Sequence, residues 1–376
     1  MKNLKIGILT HPLSGNFGGM LQAYALHSVL KNMGYHPFIL DRDLKHKTGK
    51  RDKIRNLWFY IRRLIASCPL NFPLPFFIER RAGKKFQNLK SADLNIVHLS
   101  QLEKIREKNT IQWVIGSDQV WRGIYARWIC DLSYFFLDFV PERERLHSIS
   151  YAASFGSDAW EGSSQETEIC KELIHDLKAV SVRENSGIDI CRNVFQTKAV
   201  QMPDPTFLLT PKEYDALIES SKTEKCSCDY IASYVLDTSE LTLSAIQNVS
   251  KLLSLPLQHI MPIASAKKRK ERFPMSVPQW LRYIRDCKYL ITDSFHGCVF
   301  AIIFNKPFVC VGNEARGMAR FNTLFKTFGL EHHLVHTISS KTLQKPATND
   351  KDWENINAIL SSERDRGLCF LRQNLN

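Results

Sequence analysis

The chain has 376 residues, of which 44% are hydrophobic and 24% charged, a composition typical of soluble globular proteins. This length is sufficient for two domains with separate hydrophobic cores. No apolar run reaches the ~20 residues that a transmembrane helix needs, and residues 1–10 enter a strand pattern without a signal-peptide cleavage site. The ten cysteines and twelve histidines show no typical zinc or disulfide spacing, so we expect reduced thiols, no metal site and a cytoplasmic protein.

The net charge of +13 is concentrated in residues 42–90, where fourteen Lys and Arg face three acids. Within it, residues 54–65 place apolar and aromatic side chains on one helical face with arginines beside them, and the hydrophobic residues 69–78 are broken by prolines. Such a helix suits a membrane interface with anionic lipid. It equally fits a core-facing helix with a solvated basic side. We do not expect nucleic acid as a partner, because the region matches no nucleic-acid-binding motif.

The predicted elements alternate between strands and helices along the chain. The first block holds strands at 4–10, 35–40, 112–115, 148–153, 179–182 and 200–202, a turn at 16–19, and helices at 20–33 and 186–193. The second block holds strands at 230–236, 257–262, 289–292 and 307–311, and helices at 241–253, 277–286, 298–304 and 352–371.

Two such blocks predict an α/β fold of two doubly wound Rossmann-like domains that face each other across a cleft. We expect an N-terminal domain at residues 1–205 with a basic aromatic insertion at about 42–90, and a C-terminal domain at 206–345. Residues 346–376 are expected to form a helix that packs back toward the N-terminal domain.

The segment 289–297 carries the clearest functional signal. A buried strand runs into Asp293, Ser294, His296 and Gly297, and an apolar helix follows. Ligands of open parallel sheets bind at the carboxyl ends of strands, and helix N-termini attract anions. His296 is therefore predicted to transfer protons beside an anion site. The alternative is that Asp293 and Ser294 only cap the helix while His296 packs beneath it.

In chain order, seven motifs resemble the polysaccharide pyruvyl transferase family. They are Asn-Phe-Gly-Gly-Met-Leu-Gln-Ala-Tyr-Ala-Leu at 16–26, Gly-Ser-Asp-Gln-Val-Trp at 116–121, Ser-Tyr-Ala-Ala-Ser-Phe-Gly at 150–156, Ser-Val-Arg-Glu at 181–184, Asp-Pro-Thr at 204–206, Thr-Asp-Ser-Phe-His-Gly at 292–297 and Arg-Gly-Met-Ala-Arg-Phe at 316–321. The resemblance implies a fold similar to two-domain GT-B glycosyltransferases. It also implies transfer of the enolpyruvyl group of phosphoenolpyruvate onto a sugar, usually as a cyclic ketal.

The resemblance further implies a donor site. Arg183 matches the family's arginine for phosphoenolpyruvate, and arginine suits planar carboxylate and phosphate groups. From the residues alone, Arg183 also fits a salt bridge to Glu184 or a solvated surface charge. His296 matches the family histidine, with Ser294 standing where many members have arginine.

Arg316 and Arg320 are expected to supply further positive charge for binding phosphoenolpyruvate. The alternative is that both are surface charges on a loop. Ser294 and Gly297 complete the predicted binding set for phosphoenolpyruvate. Phosphoenolpyruvate is the donor substrate, and no cofactor is expected.

For catalysis we expect His296 to protonate the methylene carbon of phosphoenolpyruvate or to stabilise its phosphate, while a carboxylate accepts the proton of the sugar hydroxyl. Asp118 and Asp293 are the candidate carboxylates. The alternatives are that Asp118 caps with Ser117 and that Asp293 orients His296. Asp204, between two prolines, is expected to be structural.

Six residues are predicted to face the acceptor or the cleft: Asn16, Gly18, Gly19, Gln22, Ser117 and Trp121. Gln22 is expected to reach the cleft from the first helix. Trp121 is a candidate for stacking on a sugar, although a tryptophan this close to a strand is commonly part of the core. If residues 42–90 bind the inner face of a membrane, the natural acceptor is a lipid-linked saccharide such as an undecaprenyl-linked oligosaccharide.

Two other functions remain open. One is a GT-B glycosyltransferase that uses a nucleotide sugar, although the second block shows no clear ribose-binding acid. The other is a non-catalytic, membrane-associated binding protein that has kept the fold.

Deletion of residues 54–78 tests the membrane interpretation. We expect the full chain to sediment with vesicles of anionic phospholipid and the deletion to lose this binding, because each basic residue near the surface contributes about 1 kcal/mol. Neutral vesicles are the control. Undiminished binding of the deletion variant to anionic vesicles would reject the interpretation.

Overall fold

Two five-stranded sheets and one two-stranded sheet organise the molecule. A computed structural model describes residues 4–13, 16–41, 94–107, 109–236, 240–260, 275–312, 317–336 and 350–375. The predicted basic insertion at 42–90 and Arg316 lie outside the described residues.

The N-terminal sheet is parallel throughout, in the order β3-β2-β1-β4-β5. All five residues of β4 are buried, as expected when helices cover both faces of a parallel sheet. Its strands are β1 (Lys5–Leu9), β2 (His36–Asp41), β3 (Ile96–His98), β4 (Ile111–Ile115) and β5 (Ile149–Ser150). The two-stranded sheet consists of the parallel strands β6 (Ser181–Val182) and β7 (Val200–Gln201), and isolated parallel bridges connect it to the β5 side of the N-terminal sheet.

Six α-helices accompany this unit in the described part of the chain. They are α1 (Phe17–Asn32), α2 (Leu102–Arg106), α3 (Gly123–Ile129), α4 (Glu142–Arg145), α5 (Ser164–His175) and α6 (Asn185–Asn193).

The second sheet is also parallel, in the order β12-β11-β10-β8-β9. Its strands are β8 (Ile231–Tyr234), β9 (Leu257–His259), β10 (Tyr289–Thr292), β11 (Phe308–Val311) and β12 (Leu334–Val335). The remaining described helices are α7 (Pro211–Glu219), α8 (Glu240–Leu253), α9 (Val277–Asp286), α10 (Phe295–Ile303), α11 (Ala319–Phe328) and α12 (Asp350–Asn374). Every residue of α10 is buried, in agreement with its apolar sequence.

The predicted fold class, two doubly wound α/β units, is confirmed. The strand order reverses between β1 and β4 in the first sheet and between β8 and β10 in the second. Open α/β sheets bind ligands at such reversal points, outside the carboxyl ends of the strands. The residues that follow these four strands are therefore the first place to search for a site.

Helix α12 lies against the N-terminal unit. Tyr35 Oη donates a 2.8 Å hydrogen bond to the carbonyl of Leu375, and Gln112 Nε2 donates one of 3.3 Å to the carbonyl of Asn374. Arg366 bonds to the side chain of Gln201. The domain boundaries near residues 205 and 345 stay a prediction.

Among the described residues, no helix is both long and apolar enough to cross a bilayer.

Leu371, which is fully buried on α12, tests the docking of this helix. We expect Leu371→Ala to lower the free energy of unfolding by about 2–5 kcal/mol, because it removes buried methyl groups and leaves a cavity. Denaturant unfolding measures the change. The exposed Gln373 supplies the control variant Gln373→Ala, and equal stability of the two variants would contradict the docking.

Candidate functional site

The N-termini of α1 and α10 meet at the junction of the two units. Gly18, in the first turn of α1, lies so close to the His296 imidazole of α10 that an added Cβ would overlap the ring. The next glycine, Gly19, would place a Cβ 2.9 Å from Asp118 Oδ2. Glycine is thus required for the close approach of backbone to these side chains.

The turn predicted at 16–19 is wrong, because Phe17, Gly18 and Gly19 are already helical. The two glycines lower helix propensity and so resemble a turn in the sequence, whereas tertiary packing determines the start of α1. Asn16 is exposed at the N-cap position and makes no side-chain cap hydrogen bond.

Asp204 is the centre of the site. One carboxylate oxygen, Oδ2, accepts a 2.8 Å hydrogen bond from Arg183 Nη1 and lies 3.5 Å from His296 Nε2 and 3.3 Å from Ser117 Oγ. The other, Oδ1, accepts hydrogen bonds from the amide and the hydroxyl of Thr206. Asp204, which the sequence predicts to be structural, thus contacts Arg183 and His296, the two main candidates for donor binding and proton transfer.

The surroundings of Asp204 keep its carboxylate charged. Burial by itself raises the pKa of Asp204, but His296, Arg183 and the Thr206 amide outweigh burial and hold that pKa below its ordinary value. Asp204 therefore provides a fixed negative charge between Arg183 and His296.

Arg183 pairs with Asp204, so the predicted alternative of a salt bridge to Glu184 is wrong. Glu184 Oε1 instead accepts from the Ser154 hydroxyl and the amides of Phe155 and Gly156. Within the described residues, Nε and Nη2 of Arg183 are buried and have no hydrogen-bond partner.

Arg320 lies in α11 and is 8% exposed, so the alternative of a surface charge on a loop is wrong. The guanidinium groups of Arg183 and Arg320 lie 4.7 and 5.5 Å from the centroid of the Phe295 ring. Burial and the charge of Arg183 lower the pKa of Arg320 to about 10, at which it is still a cation at neutral pH. Two cations therefore share one aromatic ring.

Asp118 belongs to the same site and lies beside a histidine that the sequence interpretation missed. Its Oδ1 accepts a 2.8 Å hydrogen bond from the Gln119 amide, and its Oδ2 lies 3.7 Å from His11 Nδ1. Burial raises the pKa of Asp118, but His11, Arg183 and His296 together lower it below the ordinary value. The position of His11 two residues beyond β1, the strand beside β4 at the reversal point, was the signal that could have found it.

Three predicted residues have packing or capping roles. Ser294 Oγ accepts from the Gly297 amide at 3.4 Å, which is the capping alternative, and an added Cβ on Gly297 would overlap the Thr292 side chain. Asp293 accepts a 2.7 Å hydrogen bond from the Leu236 amide. The carboxylate that lies 3.5 Å from His296 Nε2 is that of Asp204, and the catalytic or orienting role of Asp293 stays a prediction.

Trp121 does not face an acceptor site. Its side chain is 1% exposed, donates from Nε1 to the Phe135 carbonyl and stacks on Phe136 with centroids 5.0 Å apart. The predicted sugar contact of Trp121 is therefore wrong, and the core alternative holds.

Gln22 is also completely buried, so the expectation that it reaches the cleft is corrected. It donates to Thr10 Oγ1 at 2.8 Å and to the Gly19 carbonyl at 2.9 Å, and accepts from the Ser117 amide at 3.3 Å. Gln22 thus connects the ends of β1 and β4 to the start of α1.

No group of three or more His, Cys, Asp or Glu side chains suited to a metal ion occurs among the described residues.

These features define a two-unit α/β protein whose buried arginine, histidine and carboxylate groups meet between the two sheets. The chain belongs to the polysaccharide pyruvyl transferase family, which it matches over residues 16–315. It is therefore a transferase of that family. No curated protein gives a significant match.

Several solved structures are similar to this chain at low sequence identity. A Staphylococcus aureus MnaA–UDP structure has 10% identity and a TM-score of 0.48, covering 100% of this chain and 98% of its own. The glycotransferase of kitacinnamycin has 10% identity and a TM-score of 0.47, covering 100% of both chains. A UDP-N-acetylglucosamine 2-epimerase from Rickettsia bellii has 11% identity and a TM-score of 0.45, covering 99% and 98%.

The contact between Gly18 and His296 is testable by a double-mutant cycle. We expect Gly18→Ala to reduce the free energy of unfolding by about 1–3 kcal/mol through overpacking. In the background of His296→Ala, where the ring is gone, the same substitution should cost much less. Denaturant unfolding of the four proteins measures the coupling, and purely additive effects would contradict the contact.

Proposed function

We propose that this protein transfers the enolpyruvyl group of phosphoenolpyruvate to a sugar of a polysaccharide precursor, forming a cyclic pyruvate ketal and releasing phosphate. The observation that carries the proposal is Arg183, whose guanidinium is buried and holds Asp204 while its Nε and Nη2 have no partner among the described residues. Family membership supports pyruvyl transfer as the reaction.

Unpaired N–H groups in a buried guanidinium favour an anionic ligand. Each buried donor without a partner costs about 1–3 kcal/mol, and a ligand oxygen relieves this cost. A guanidinium edge matches the two oxygens of a carboxylate or phosphate group. Arg320, whose guanidinium lies near the same Phe295 ring, adds a second positive charge.

The start of α1 favours the same ligand. The backbone N–H groups of a helix N-terminus attract phosphate, and the Asn16 side chain does not cap those of α1. Gly18 brings this backbone against His296. Arginine, histidine and helix amides together suit a small, highly charged molecule such as phosphoenolpyruvate.

In the proposed mechanism, His296 donates a proton to C3 of phosphoenolpyruvate and turns the methylene group into a methyl group. Asp204 holds the imidazole and stabilises its protonated form. A sugar hydroxyl bonds to C2, and its proton leaves to the side of the site that holds Asp118. The C2–O bond to phosphate then breaks, and a neighbouring hydroxyl attacks C2, loses its proton and closes the ketal. Each acid or base group contributes about 10²–10⁴-fold to the rate.

For the acceptor, we propose a lipid-linked saccharide of the undecaprenyl type, used at the inner face of a membrane. The support is the sequence of residues 42–90, whose positive charge and predicted helix with aromatic residues suit an anionic lipid surface. The protein would then be cytoplasmic and peripheral to that membrane.

Calorimetric titration with phosphoenolpyruvate tests the donor. We expect binding by the unmodified protein, and roughly tenfold or greater weakening in Arg183→Lys, since charge-assisted hydrogen bonds contribute about 1.5–3 kcal/mol each. Lysine at position 183 keeps a positive charge beside Asp204 but cannot form the two parallel hydrogen bonds of a planar guanidinium.

The control is Arg192→Lys, because Arg192 is an exposed arginine paired with Asp189. A panel of nucleotide sugars is titrated in parallel. Binding of a nucleotide sugar in place of phosphoenolpyruvate would reject the proposal and indicate a glycosyltransferase.

A further inference from the structure

His11 stands at the reversal point of the N-terminal sheet, two residues after β1. Its ring meets the Phe135 ring edge to face, with centroids 5.2 Å apart and planes at 72°. Its Nδ1 lies 3.7 Å from Asp118 Oδ2, and its side chain is 15% exposed. An aromatic wall and a carboxylate thus fix the position of this imidazole.

The second ring nitrogen of His11 is buried and has no hydrogen-bond partner within the described part of the chain. When the Nδ1 proton faces Asp118, the lone pair of Nε2 remains available. A histidine held by a carboxylate at one nitrogen and open at the other is the arrangement in which imidazole acts as a general base.

The site contains a second histidine–aspartate pair. There, His296 Nε2 is 3.5 Å from Asp204 Oδ2. The first pair comes from the ends of β1 and β4 in the N-terminal unit, and His296 comes from the start of α10 in the second unit. Both histidines lower the pKa of Asp118, so both lie near its carboxylate.

We infer that His11 is the general base that takes the proton of the acceptor hydroxyl, with Asp118 as the residue that positions its ring. The inference rests on the proposed function. As the hydroxyl oxygen bonds to C2 of the enolpyruvyl group, His11 Nε2 accepts the hydroxyl proton and C3 receives the proton of His296. Asp118 then stabilises the protonated His11 until the proton is released to water.

The charged groups around His11 keep it in the form that a base requires. Burial and the positive charge of Arg183 lower its pKa, and Asp118 partly opposes them. The net result is a pKa below the ordinary value, so the imidazole is neutral at neutral pH. Activity that needs neutral His11 is present above this pKa and is lost as the pH falls through it.

The experiment compares the full chain with His11→Gln, which keeps a polar side chain of similar size but provides no base. Calorimetry measures the affinity for phosphoenolpyruvate. Phosphate release is followed from pH 4.5 to 8 with a panel of p-nitrophenyl hexosides and with water as the simplest hydroxyl. We expect unchanged affinity for phosphoenolpyruvate and a rate of phosphate release reduced about 10²–10⁴-fold. We also expect loss of the acid limb of the pH profile, which is the fall in rate as His11 becomes protonated.

Two further variants separate chemistry from structure. His175→Gln removes an imidazole on α5 whose Nε2 shares a hydrogen bond with the Phe195 carbonyl, and it should keep the unmodified rate. Asp118→Asn should move the acid limb to lower pH, because Asp118 raises the pKa of His11. This shift is measured even if His11→Gln folds poorly, which thermal unfolding reveals.

The outcomes distinguish this inference from the proposed function. If phosphoenolpyruvate binds and phosphate is released, but His11→Gln keeps the rate and the acid limb, the base assignment is wrong and pyruvyl transfer stands. An unshifted limb in Asp118→Asn also rejects it. If the unmodified protein binds phosphoenolpyruvate yet releases no phosphate with any hydroxyl, the assignment fails as well. If it does not bind phosphoenolpyruvate, the proposed function itself fails.

Discussion

The buried Asp204 carboxylate is the constraint on which the site depends. It holds Arg183 at 2.8 Å and His296 at 3.5 Å without access to water. A buried charge that loses its partner costs about 3–5 kcal/mol, so each member of this group needs the others. The same pairing fixes the arginine edge and the imidazole in position, which is the preorganisation that binding and proton transfer require.

The fold places the site where the strand-order reversal points of the two sheets meet. Residues after β1 and β4 supply His11 and Asp118, and the helix after β10 supplies His296. Gly18 allows the two units to approach until backbone contacts imidazole, and Gly317 allows a similar approach to the Gly156 carbonyl. All seven sequence motifs thus make direct contact with another motif, although they span most of the chain.

Much of the fold could be predicted from the sequence, because α/β strands with buried faces read as short apolar runs that end in polar residues or glycine. Helix α9 was predicted with its observed bounds. The site was predicted only in part. Arg183 and His296 stand out in the sequence because each follows a predicted strand. Asp204 lies between two prolines after a strand of only two residues, and only the tertiary structure brings its carboxylate to Arg183 and His296. For Trp121, the residue type alone does not decide between packing in a buried aromatic cluster and stacking on a sugar ring.

The most direct test of the account is a crystal structure of the protein with bound phosphoenolpyruvate. The account predicts an oxygen of the ligand within hydrogen-bond distance of Arg183 Nε or Nη2, and the methylene carbon facing His296, with the Asp204 contacts retained. Phosphoenolpyruvate bound away from Arg183 would contradict the account. So would a nucleoside diphosphate that binds Arg183 Nε and Nη2 in place of phosphoenolpyruvate.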